Sequence, residues 1–197
     1  MKDSASAAAT YDLFMRALDF LMVRKWRNLL WSLVEGPRVL EAGVGTGLNI
    51  SCYKPQCHVT ALDSNKSFLE RARYRARKKP VQVEFVLGDV QNLLLADESF
   101  DSAVTTFLFC QLDNPLQGLQ ELYRVLKPGG QLLLLEHIRS PGLIGRLQAG
   151  LSEPLYRLTG DHIARDTEIL AATAGFTNVV SKPLFMNAVK LIQAQKG

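Results

Sequence analysis

The chain has few cysteines and histidines, three of each in 197 residues, and it lacks any long apolar run. No stretch reaches the roughly 18 consecutive apolar residues of a membrane-spanning helix. Cys52, Cys57 and Cys110 are odd in number and form no Cys-x-x-Cys pair. That pattern excludes a disulfide framework, argues against a bound metal, and suits a reducing cytoplasmic setting. The opening MKDSASAAAT carries an early acid and no apolar core, so it does not read as a secretory leader. Internal repeats and long linkers are absent, and so is any basic strand studded with aromatics. A net charge of +4 allows an anionic partner surface, but nucleic acid is not expected. What remains is one domain long enough to bury a proper core.

The apolar residues Phe14, Leu18, Leu21, Leu29 and Leu33, with Trp26 close by, fall at helical spacing across residues 11–34. Arg16, Arg24, Lys25 and Arg27 occupy other positions of this amphipathic segment, and Gly36-Pro37 ends it. Strand-like runs follow at 39–41, 58–62, 81–87, 102–107 and 131–136. Helical runs are expected at 48–53, 66–79, 115–126, 143–158 and 166–174. Ser64 can cap the second of these, and Gly175 the last. Lys127-Pro-Gly-Gly reads as a turn before the apolar strand QLLLLE. Two final strands, 177–182 and 188–193, are joined by a short link, which implies an antiparallel hairpin. The alternation predicts an α/β fold: a doubly wound, seven-stranded, mostly parallel sheet with a C-terminal antiparallel hairpin and an N-terminal helical cap.

The densest chemical signal is RVLEAGVGTG. A strand reaches Glu41, and Gly43, Gly45 and Gly47 follow at alternate positions. Glycines there allow a sharp turn and close approach of a ligand. The dinucleotide fingerprint G-x-G-x-x-G would need a glycine at residue 48, where Leu48 stands. Asp63 ends the second strand and Asp89 follows the third, both on the side where open α/β sheets bind ligands. Glu41 suits a ligand that carries a positively charged amine.

With E-x-G-x-G-x-G, Asp63 and Asp89 in this order, the chain resembles the class I S-adenosylmethionine-dependent methyltransferases. It is similar to the branch that holds phosphatidylethanolamine N-methyltransferases, quinone methyltransferases and animal methyltransferase-like thiol enzymes. Tyr11-Asp12, Glu136-His137 and Gly160 to Arg165 carry that narrower likeness. The resemblance implies a helical cap at 1–36 and a cofactor-binding domain at 37–197. It implies S-adenosylmethionine as cofactor, bound by Glu41, Gly43, Gly45, Gly47, Asp63, Ser64, Asp89, Val90 and Phe107. Asp63 would bond the ribose hydroxyls, Asp89 the adenine amino group, Val90 would pack on the ring, and Phe107 and Leu108 would border the methionine portion.

A base is needed only where the acceptor must lose a proton. Tyr11, His137 and His162 are the catalytic candidates, with Glu136 as a further one, and Arg165 and Tyr156 are candidate acceptor contacts. Arg24, Lys25 and Arg27, and the run Arg71 to Lys79, could lie on an anionic membrane surface, or simply form solvated helix faces. The expected acceptor is the phosphatidylethanolamine headgroup, at a membrane periphery. The alternatives are a quinone, thiol or other small acceptor, or a non-catalytic nucleoside-binding or RNA-associated module. Oligomeric state is left open.

Overall fold

The computed structural model describes residues 23–138, 165–185 and 188–197. The expectations for Tyr11, Tyr156 and His162, for most of the N-terminal cap and for the helix at 143–158 lie outside them.

Seven strands form one sheet: β1 (Arg38–Ala42), β2 (His58–Asp63), β3 (Gln82–Leu87), β4 (Phe100–Thr106), β5 (Leu126–His137), β6 (Phe176–Phe185) and β7 (Val189–Lys196). Their order is β3-β2-β1-β4-β5-β7-β6. The pairs among β1 to β5 are parallel, and β7 is antiparallel to both β5 and β6. This is the expected doubly wound sheet with its terminal hairpin. The chain builds outward from β1 to β3 on one side and then restarts at β4 on the other. The switch point therefore falls between β1 and β4, and a crevice opens at the carboxyl ends of these strands.

Four α-helices, α1 (Arg24–Ser32), α2 (Lys66–Ala76), α3 (Pro115–Val125) and α4 (Thr167–Thr173), are described. The segment after the glycines is a 3-10 helix, Leu48–Cys52. On one face of the sheet, Leu30 and Trp31 of α1 pack with Val39, Val59, Leu69, Val104, Leu133 and Leu135. On the other, Leu119, Leu122 and Val125 of α3 pack with Leu40, Ala103, Leu132, Leu134 and Ile192. Leu132 to Leu135 are all fully buried, because a central strand covered on both faces has no solvent side to alternate with.

Several local expectations are corrected. Asn65, not Ser64, caps α2: its side chain accepts from the backbone N–H of Ser67 and Phe68. That helix stops at Ala76 rather than running on to residue 79. Lys127 to Gly130 do not precede β5 but lie within it. Phe100 pairs with Leu126 and Ser102 with Gln131, so β5 carries a wide bulge there, with Gly129 at φ +72°. The hairpin link shrinks because β6 continues to Phe185. Pro183 is tolerated because β6 is an edge strand. No described helix is long and apolar enough to cross a membrane.

Candidate active site

The glycine loop leaves β1 under tight backbone control. The N–H groups of Gly43 and Val44 both donate to the Leu62 carbonyl, at 2.8 and 3.0 Å. The Gly45 N–H donates to Asp63 Oδ2 at 2.7 Å, and the Gly47 N–H to the Val44 carbonyl at 3.0 Å. These donors are already engaged, so the loop is not a phosphate cradle, which needs backbone N–H groups aimed at the anion. Gly45, at φ +55°, faces open space: a Cβ built there meets nothing within 4 Å. Gly47 has a different task. At φ +85° it starts the 3-10 helix, and a Cβ would lie 2.6 Å from Ile50 Cδ1 and 2.9 Å from Ala72 Cα.

A cleft of about 770 Å³, counting its solvent-open part, sits at the carboxyl ends of β1 to β4. Gly43, Gly45, Asp63, Ser64, Asp89, Val90 and Phe107, all named from the sequence, line it together. Gly47 does not, since it packs against α2 instead. Leu108, expected beside Phe107, lines it too, and residues that the sequence reading missed complete the wall: Asn65, Phe68, Thr106, Gln111 and Leu112 among them. Asn65 could have been found as a preferred helix cap. Gln111 and Leu112 carry no such signal, because the segment after β4 has no periodicity to read.

Asp63 is the buried carboxylate of the cleft. One oxygen takes the Gly45 N–H and the other the Asn65 N–H, at 2.8 Å. Burial raises its carboxyl and these two bonds lower it, with a net upward shift. Each oxygen keeps a lone pair for a ligand hydroxyl. Asp89 is exposed and accepts from the Gln91 backbone at 2.9 Å and from the Gln91 side chain. Among the described residues, the lining holds two carboxylates and no lysine or arginine. That balance favours a cationic nucleoside over a phosphate-bearing one.

Glu41 is placed differently from the expectation. It is fully buried and does not line the cleft. Asn49 donates to its Oε1 at 2.5 Å, Tyr53 donates to its Oε2, and Arg27 of α1 reaches Asn49 at 2.8 Å. Burial pushes its carboxyl up to about 7, against the bonds from Tyr53 and Asn49. Its carboxyl thus ties the first strand to the N-terminal helix and offers no direct face to a ligand amine.

His137 stacks on Phe107 with ring centroids 4.4 Å apart and planes at 21°, which brings it to the cleft margin. Arg165 donates to the Leu112 carbonyl at 2.7 Å and so buttresses the wall after β4. Among the described residues no cluster of histidine, cysteine and carboxylate could hold a metal.

Fold, glycine loop and anionic cleft together define a class. A family model described as a methyltransferase domain matches residues 40–134. This match and the shared fold support the reading of the chain as a class I S-adenosylmethionine-dependent methyltransferase, and they imply S-adenosylmethionine as the cofactor. It is 38% identical over 135 residues to a thiol S-methyltransferase of Rattus norvegicus, covering 66% of this chain and 55% of that protein. It is 37% identical over 138 residues to a demethylmenaquinone methyltransferase of Deinococcus radiodurans, covering 67% and 57%. The chain thus spans little more than half the length of these curated relatives. The structure of an S-adenosylmethionine-dependent methyltransferase of Thermotoga maritima superposes with a TM-score of 0.74 at 24% identity, covering 96% of this chain and 98% of that one. A likeness at that identity speaks for the fold.

The cleft fits this cofactor on its own geometry. Gly45 leaves room for close approach, Asp63 offers two oriented acceptors, Val90 and Leu112 offer apolar surface, and the charge suits a sulfonium.

Proposed function

We propose that the protein transfers a methyl group from S-adenosylmethionine to a small apolar acceptor, a thiol first and a quinone ring second. The observation that carries this reading is the pairing of an anionic cofactor cleft with an apolar wall, Phe107, Leu108 and Leu112. Relatives named for thiol and demethylmenaquinone substrates support the same choice. The phosphatidylethanolamine headgroup, the first expectation from the sequence, has no such support among these relatives and yields to the small-acceptor alternative.

The bound cofactor would supply an activated methyl on a positive sulfur. The chain's own work is then orientation and exclusion of water, an effect worth roughly 7–11 kcal/mol in well-oriented reactions. Asp63 and Asn65 anchor the nucleoside end, and Gly43 and Gly45 let the backbone come close. Phe107 and Leu108 shield the reacting end. A thiol acceptor must lose its proton, and His137 on Phe107 is the described group nearest that task.

The test is release of S-adenosylhomocysteine by the purified protein with alkyl thiols, demethylmenaquinone and phosphatidylethanolamine vesicles supplied in parallel. Turnover with thiol or quinone and none with vesicles is the expected result. Turnover confined to vesicles would restore the lipid reading and remove the present one.

A further inference from the structure

Leu132 to Leu135 show what burial alone selects on β5. The next residue, Glu136, is as completely buried as they are. Its Oε1 accepts from Thr105 Oγ1 and from the Leu108 backbone N–H, both at 3.0 Å. Oε2 has no hydrogen-bond partner among the described residues. A half-satisfied buried carboxyl is a costly choice where leucine fits.

The residue just before Leu108 explains the choice. Phe107 has φ +54°, the left-handed region that bulky side chains avoid. Its own N–H donates to the Leu135 carbonyl at 2.8 Å. The strained residue is therefore gripped on both sides by consecutive residues of β5: by Leu135 through its carbonyl, and across Leu108 by Glu136. Phe107, Leu108, Gln111 and Leu112 line the cleft. The far end of this wall is held by Arg165 at the Leu112 carbonyl, and the same guanidinium acts electrostatically on Glu136.

We propose that Glu136 is a positioning residue that clamps the strained Phe107–Leu112 wall and so sets the shape of the cofactor cleft. It does not touch the ligand. The inference uses only the cofactor site and holds whichever acceptor is methylated.

Burial pushes the Glu136 carboxyl up to about 7, opposed by the bonds from Leu108 and Thr105 and by the charge of Arg165. The clamp therefore changes charge near neutrality, and its ionised form grips the N–H groups more strongly. Among the described residues, the charged groups around it are few. Arg165 precedes α4, and on β7 its register partner Lys190 is bound to Glu168 of α4 at 3.0 Å. His137 follows on the opposite face of β5 against Phe107, and Cys110 in the wall donates to the Phe107 carbonyl.

The experiment is calorimetric titration of the full chain with S-adenosylhomocysteine between about pH 6 and pH 8.5, a window that spans the usual range of such switches. Wild type should bind more tightly as pH rises. Glu136→Gln should lose that component and bind about fivefold more weakly at the upper end, because its amide oxygen still accepts from the N–H groups but without charge assistance. Thr105→Val removes one donor to the carboxylate and should move the midpoint to higher pH. Glu136→Gln with the wild-type affinity and profile overturns the proposal, as does a variant that lowers the melting temperature while leaving the binding profile alone. If Glu136→Gln does not fold, Thr105→Val decides: a shifted midpoint supports the clamp and an unchanged one refutes it. No binding by wild type would remove the cofactor assignment, and the clamp with it.

Discussion

Burial drives the chemistry of Glu41 and Glu136 in the same direction. Each titrates near 4.5 when free and near 7 in the fold. Below the lower value both states of the chain hold the protons, so the fold loses nothing. As pH rises from about 4.5 to about 7, the unfolded chain releases protons that the native state keeps, and stability falls. Asp63, raised by burial, adds to the same trend. Asp101 and Glu121 oppose it only at lower pH. Asp101 is held low despite burial by Lys127 and Arg38, and Glu121 by Arg124. Thermal melts should therefore show a falling melting temperature between about pH 5 and pH 7.5, with each Glu→Gln variant flattening the slope. A melting temperature that rises across that interval would contradict the account. Neither glutamate's role was legible beforehand. Spacing places Glu41 before the glycines and Glu136 at a strand end, but whether a carboxyl faces the cleft or the packing below it depends on side-chain direction. That direction is decided by partners distant in sequence, Asn49 and Tyr53 for one and the Leu108 backbone for the other.

At the scale of the element, the cap of α2 separates two adjacent residues. Asn65→Ala should cost about 1 kcal/mol in denaturant unfolding, and Ser64→Ala close to nothing. Equal losses would return the cap to Ser64. The glycine loop gives a second contrast. Gly47→Ala forces a Cβ into Ile50 and the α2 backbone, at a cost of about 1–3 kcal/mol in stability. Gly45→Ala has room but keeps a φ of +55°, so it should cost only the backbone strain of about 1–2 kcal/mol and act beyond that on cofactor affinity, because the new methyl enters the cleft side. Comparable stability losses from both, with affinity untouched, would show that the loop is only a turn. The existence and order of these elements was readable because glycine, proline and apolar periodicity are local signals. Their ends were not. The β5 bulge at Lys127 to Gly130 exists to bring Gln131 into register with Ser102, a pairing that no local signal announces. The extra length of β6 is supplied by its ladder with β7.

For the whole molecule, the parallel sheet and its terminal hairpin followed from strand–helix alternation and a short final link, and those features alone brought seven of the nine expected cofactor residues to one cleft. The part of the site that alternation could not supply is the irregular wall after β4, where Gln111 and Leu112 line the cleft. The central claim is that this cleft holds S-adenosylmethionine through Asp63. Calorimetric titration of wild type and Asp63→Ala with S-adenosylhomocysteine tests it most directly. One site per chain is expected, with affinity at least tenfold weaker in the variant, since hydrogen bonds to a charged group contribute roughly 1.5–3 kcal/mol. An Asp63→Ala protein that stays folded and binds as tightly as wild type would contradict the account.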